Sequence, residues 1–152
     1  MKTLITTEMM CLAIVASAQT AIDKTIPVTK GQTIRMKFDY PSPVRISTWD
    51  RNEISIKGTV SINGGEHDDV FKINTKTSSG TIMISNEIVN MDRIPHRITV
   101  HEGGTKIVFK NKSDWKKYQD EHGKSSNVSM GVDLDIALEI KVPNNVAPYV
   151  EC

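Results

Sequence analysis

A chain of 152 residues with 38% hydrophobic and 24% charged side chains is long enough for one packed domain and too apolar to stay unfolded as a whole. Its net charge of +1 lacks the basic excess with which a domain grips phosphate backbones, so nucleic acid is not an expected partner.

The first element reads as a secretory signal over residues 1–18. Lys2 gives a weak positive start, Cys11 to Ala16 form a short apolar run, and Ala16-Ser17-Ala18 has the small-x-small form of a cleavage site, which sets the cut before Gln19. Glu8 is atypical so close to the apolar run, and the competing reading is a buried N-terminal helix. Met9-Met10 before Cys11 does not make a lipobox, so no lipid anchor is expected. The run is shorter than the ~20 residues a membrane-spanning helix needs, and no later segment is apolar enough to be transmembrane. The product expected is residues 19–152, a single exported β-rich domain in the periplasm or at the cell surface. Cys152 is then its lone cysteine, so an internal disulfide is excluded.

From Ile34 onward the polarity alternates with period two, which puts apolar side chains on one face of a strand and polar ones on the other. Ile34, Met36 and Phe38 come first, followed by Val44 and Ile46. Ile54 and Ile56 continue past Gly58 to Val60 and Ile62. Phe71 and Ile73, Ile82 and Ile84, and Ile98 and Val100 repeat the pattern. Its clearest instance is Val132, Leu134, Ile136, Leu138, Ile140 and Val142, interleaved with Asp133, Asp135, Ala137, Glu139 and Lys141. Burying those six side chains is worth at most roughly 9–18 kcal/mol.

Turn signals separate the strands. They are Pro41-Ser42-Pro43, Asp50-Arg51-Asn52, Asn63-Gly64-Gly65, Ser78-Ser79-Gly80 and Gly103-Gly104. Ser79-Gly80 predicts a hairpin between Phe71–Thr77 and Thr81–Asn86. One stretch departs from the pattern: Ser113 to Gly123 predicts a short surface helix, capped by Ser113 and ended by Gly123, inside an insertion from Lys110 to Met130. The fold class expected is all-β, an antiparallel or solenoid-like sheet domain with one short helical insertion.

Candidate chemistry is sparse. His67, His96, His101 and His122 fall in separate turns. His67 with Asp68 and Asp69 would be a metal site only if it were not a solvated acidic turn, and the latter is the reading adopted. His96 and His101, five residues apart, fall on opposite faces of a regular strand, so no metal and no cofactor are expected. Asp133, Asp135 and Glu139 share one strand face at a spacing compatible with a glycosidase pair, although polar residues at those positions are what any half-buried strand shows. No Gly-x-Ser-x-Gly, phosphate loop or His-Glu-x-x-His is present, so no catalytic residue is assigned. Trp49 packs over a core edge or offers a platform to a sugar ring. Trp115 and Tyr118, three apart on the predicted helix, share a face that docks the insertion or contacts a ligand. Trp49, Trp115 and Tyr118 are therefore the candidate ligand-binding residues. Lys110, Lys112, Lys116, Lys117 and Lys124 make the insertion locally basic, diluted by Asp114, Asp120 and Glu121.

The run from Phe38 through Val44-Arg45-Ile46-Ser47-Thr48-Trp49-Asp50 to Ile54-Ser55-Ile56 resembles the opening of the DUF4097-like adhesin family, in which a strand ends in Thr-Trp-Asp and a polar turn leads to the next. Glu139-Ile140-Lys141-Val142-Pro143-Asn144-Asn145 is similar to that family's Val-Pro-Asn segment. The resemblance covers about residues 23–150 on fewer than twenty specific positions. Ser42-Pro43 stands where the family usually has a glycine. The resemblance implies an exported, non-catalytic binding or adhesion domain of the bacterial cell envelope, with an envelope protein or a surface glycan as partner. The alternatives are a structural or sensing role in the envelope and a carbohydrate-active enzyme. Family members continue into stacked β-solenoid rungs where this chain reaches Cys152, so the expectation is a truncated product or a first module alone. Residues 147–152 would then form an uncovered edge that promotes weak self-association.

Overall fold

The computed structural model describes residues 19–41 and 43–151. The predicted signal peptide and Cys152 lie outside the described residues.

Alternation in the sequence becomes burial in the structure. Strand β1 (Thr20–Pro27), β4 (Glu53–Ile62), β10 (Leu134–Pro143) and β3 (Val44–Trp49) form one four-stranded sheet in the order β1-β4-β10-β3. A second has the order β11-β2-β6-β5, from Tyr149–Glu151, Thr33–Lys37, Thr81–Ile88 and Phe71–Ser78. A third places β7 (Arg97–Glu102) between β8 (Thr105–Phe109) and β9 (Val128–Gly131). The single α-helix among the described residues, α1 (Lys112–His122), joins β8 to β9. The all-β reading with one helical insertion holds.

The first two sheets share their core. Ile54, Ile56, Leu138, Ile140 and Val142 of the first pack with Ile34, Met36, Ile82 and Ile84 of the second. Toward the far end of β4 and β10 a second cluster joins Val60, Ile62 and Ile136 to Phe71, Ile88 and Ile94. Gly58 stands in β4 between the parts that serve the two clusters, opposite Leu138.

The turns behave as their residues dictate. Ser79 and Gly80, with φ of 48° and 75°, close β5 on β6, and Gly103 and Gly104, at 55° and 79°, close β7 on β8. Positive φ at both central residues is what a two-residue hairpin of type I′ requires.

Pairing within this all-β frame is mixed: β3 runs parallel to β10, and β2 runs parallel to both β6 and β11. Several finer expectations are corrected. The helix starts two residues earlier than a cap at Ser113 predicts, and its cap is Asn111, whose side chain accepts from the Asp114 N–H at 2.9 Å; Ser113 lies inside the helix. Gly123 does end it, at φ 87°. Val132 and Asp133 precede β10 and are not part of it. The run at 147–152 is not left uncovered on both sides. Tyr149–Glu151 pairs with β2, the Phe38 N–H donates to the Glu151 carbonyl at 3.0 Å, and Val150 packs against the larger core cluster.

Candidate functional site

The third sheet has two unlike faces, because alternate residues of β7 point to opposite sides. Ile98, Val100 and Glu102 share one face with Ile107 and Phe109 of β8. Helix α1 lies on this face. The Tyr118 ring stands 5.2 Å from that of Phe109 and stacks on His122 at 4.3 Å, and its hydroxyl donates to Glu102 Oε2 at 2.8 Å. That hydrogen bond to a carboxylate raises the Tyr118 pKa above its usual 10.0, with burial adding in the same direction. Tyr118 is therefore committed to docking the insertion. Trp115 is half-buried, and its indole N–H is buried without a hydrogen-bond partner among the described residues.

The opposite face carries Arg97, Thr99 and His101 of β7, with Lys106 and Val108 of β8 and, one step past the strand, Lys110. It looks across a cleft of about 490 Å³ to the end of the first sheet, where Ser61, Asn63, Glu66, Asp133 and Asp135 complete the lining. A neighbouring cleft of about 410 Å³ shares Lys106 and Asp133 and adds Thr99, His101 and Ser129.

Charges are sorted across this space. Arg97, Lys106 and Lys110 come from the third sheet, whereas Glu66, Asp133 and Asp135 come from the two-sheet frame and its loops. Glu66 Oε2 accepts from Arg97 Nη2 at 2.7 Å, and its Oε1 meets Lys110 Nζ. Asp133 pairs with Lys106. The Arg97 side chain is 8% exposed, so its partner matters more than that of a free surface cation. The hydrogen bond from Lys110, then the positive charges of Lys110 and Arg97, hold the Glu66 carboxyl below its usual 4.5 against the opposing effect of desolvation.

Asn63 fixes the floor of the cleft. Its backbone N–H donates to the Asp133 carbonyl at 2.8 Å, its Oδ1 accepts from the Asp133 N–H at 3.0 Å, and its Nδ2 donates to the Pro95 carbonyl at 2.8 Å. Asp68 corrects the reading of a solvated acidic turn. It is buried, and its carboxylate accepts from the Ile62 N–H at 2.7 Å and the Thr20 N–H at 3.2 Å, which ties β1 to the end of β4. Among the described residues no group of three or more His, Cys, Asp and Glu is arranged to hold a metal.

Trp49 sits elsewhere, at the end of β3, on the face turned away from the core. Its register partner is Pro143, while the intervening Val142 points inward. The indole N–H donates to the Glu53 carbonyl at 2.7 Å, and Arg51 and Lys141 approach the ring centroid at 5.0 and 5.8 Å. Trp49 thus braces a turn and carries cations on an outer face, rather than covering a core edge. The structure does not bring Trp49 together with Trp115 and Tyr118, which lie on helix α1 beside the third sheet.

Of the three carboxylates singled out in the 132–142 run, Asp133 and Asp135 line the charged cleft, while Glu139 lines a separate one with Arg45 and Lys57. Sequence reasoning missed Glu66 and Arg97. The signal for Arg97 was faint: a cation beside Ile98 in a strand that turns out to be buried on both faces. Glu66, in a glycine-rich turn, gave none. No family model, characterised protein or solved structure matches the chain.

Proposed function

We propose that the chain is an exported, non-catalytic binding module of the adhesion type, acting in the periplasm or at the surface of a bacterial cell, with a surface glycan or an envelope protein as its partner and no cofactor. The observation that carries this reading is the state of the carboxylates in the charged cleft. Glu66 is engaged by Arg97 and Lys110, and Asp133 by Lys106. Glycoside hydrolysis needs one carboxyl that keeps its proton at working pH. Glu66 is shifted the other way. Asp133 and Asp135 do line one cleft, and that placement is what favours the carbohydrate-active alternative; Glu139 stands outside it. The resemblance of residues 38–56 and 139–145 to DUF4097-like adhesins supports the binding reading. Trp49, half-buried on an outer face, is retained as an aromatic contact for a ligand.

The test is binding of the purified protein to isolated envelopes and to a glycan array, with release of reducing ends followed in the same samples. Saturable binding without product is expected. Product formation that disappears with Asp133→Asn or Asp135→Asn would replace binding by catalysis. Absence of binding to every glycan and envelope sample would overturn the reading in favour of a purely structural or sensing role. N-terminal sequencing of the exported protein is expected to begin at Gln19, and a cytoplasmic protein that keeps Met1 would refute export.

A further inference from the structure

We infer that the cation-bearing face of the β7–β8 hairpin is a binding site for a linear acidic glycan, with Glu66 and Asp133 standing where the ligand's anions would sit. The inference deepens the binding-module reading and rests on it.

Its first ground is the placement of like charges. The register sets Ile98 opposite Phe109 and His101 opposite Lys106. Continued by one residue, it sets Arg97 opposite Lys110, and both indeed reach the same carboxylate, that of Glu66. Like charges directly opposite on a sheet are unfavourable. The same molecule shows the favourable alternative on its first sheet, where Arg45, Glu139, Lys57 and Asp23 lie side by side across four strands with alternating sign. A hairpin that served only to hold the third sheet in place would gain from that alternation. This one instead concentrates cations and leaves their neutralisation to carboxylates that come from outside it.

The second ground is space. These residues line open clefts of about 490 and 410 Å³ that share Lys106 and Asp133, rather than a packed interface. The Arg97/Lys110 and His101/Lys106 positions are four residues apart along the strands, or about 13 Å. One elongated ligand can address both. Arg97, at 8% exposure, offers a fixed donor array, whereas Lys110, at 70%, would exchange Glu66 for the ligand.

The third ground selects the polymer. A net charge of +1 and the carboxylate of Asp135 at the cleft disfavour a polymer with an anion on every short repeat, such as polyphosphate or nucleic acid. Ser129, exposed at the edge of the second cleft, provides a hydrogen-bonding hydroxyl for a ligand rich in its own. A glycan whose acid groups are spaced by sugar rings meets both conditions.

The experiment measures binding of the full protein to polygalacturonate oligomers, neutral dextran and inorganic polyphosphate at fixed ionic strength, alongside binding to isolated envelopes. Polygalacturonate is expected to bind and dextran not. Lys106→Ala with Lys110→Ala should weaken binding by about tenfold or more, the scale of two exposed ionic contacts. Lys106→Arg with Lys110→Arg should retain it, and Glu66→Gln should strengthen it, with thermal melts confirming that each variant is folded. Preference for polyphosphate, equal binding of dextran, or an unaffected Ala variant would overturn the inference. If envelope binding persists in those cases, the binding-module reading stands without this site. If the protein binds neither envelopes nor any of the polymers, both fall.

Discussion

Gly58 of β4 faces Ala137 of β10 so closely that a Cβ on Gly58 would lie 2.1 Å from the Ala137 carbonyl oxygen and 2.8 Å from Leu138 Cδ2. The obstacle is largely backbone, which no side-chain rotation relieves. The glycine lets the two central strands of the first sheet approach where the larger core cluster passes into the smaller.

Gly58→Ala is therefore expected to destabilise the protein by about 3 kcal/mol, at the upper end of the range for overpacking. Gly31→Ala offers a comparison, since that site has nothing within 4 Å but a φ of 88°. Its cost is backbone strain alone, about 1–2 kcal/mol. Urea denaturation of both variants checks the order. A Gly58→Ala variant as stable as the parent would mean that β4 and β10 are not in this register.

Strand β10 makes a second contrast. Leu138 and Ile140 are 2% and 0% exposed, whereas Glu139 is exposed on the other face. Truncation of Leu138 or Ile140 to alanine should cost about 2–5 kcal/mol, and Glu139→Ala about 0.5 kcal/mol or less. Thermal melts that showed equal losses at Leu138 and Glu139 would reverse the assignment of faces.

Much of this was legible in the sequence because it is local. Period-two alternation in 134–142, paired turn residues at Ser79-Gly80 and Gly103-Gly104, and a polar run ending in Gly123 each specify their element from neighbours alone. Partner choice is not local. Nothing near Val44 announces that it pairs with Leu138, or near Ile34 that it pairs with Ile82, because those registers are set by burial of both sheets together. The charged cleft was hidden for the same reason. Glu66, Arg97, Lys106 and Asp133 converge only once the third sheet has folded against the end of β4 and β10. Of the aromatic residues that drew attention instead, Tyr118 owes its position to docking α1 and Trp49 to bracing the turn after β3.

Tyr118 supplies a prediction about pH. Its folded-state pKa is raised by the hydrogen bond to Glu102, so its contribution is present below the unfolded value near 10.0 and lost as pH rises through the higher folded value. Docking of α1 should loosen in that alkaline window. Ultraviolet titration of the chain, which has three tyrosines, should show a late-ionising component that Tyr118→Phe removes. Glu102→Gln should move that component toward the ordinary range. An unchanged titration curve in Tyr118→Phe would contradict the contact.

At the C-terminus β11 pairs with β2 on one side and remains the outermost strand of its sheet. Deleting residues 147–152 should uncover the β2 edge from Thr33 to Lys37 and strip Val150 from the core. An uncovered strand edge recruits other strands. Sedimentation should therefore show more self-association in the deletion variant than in the parent, and a decrease would restore the view of the tail as the adhesive edge.

The most direct test of the account is amide chemical-shift mapping of the protein titrated with polygalacturonate oligomers. The account predicts the largest changes at Arg97–His101 and Lys106–Lys110, with Glu66 and Asp133 following as their cations are taken over. Changes centred on Trp49 and Arg51, with the β7–β8 hairpin silent, would contradict it.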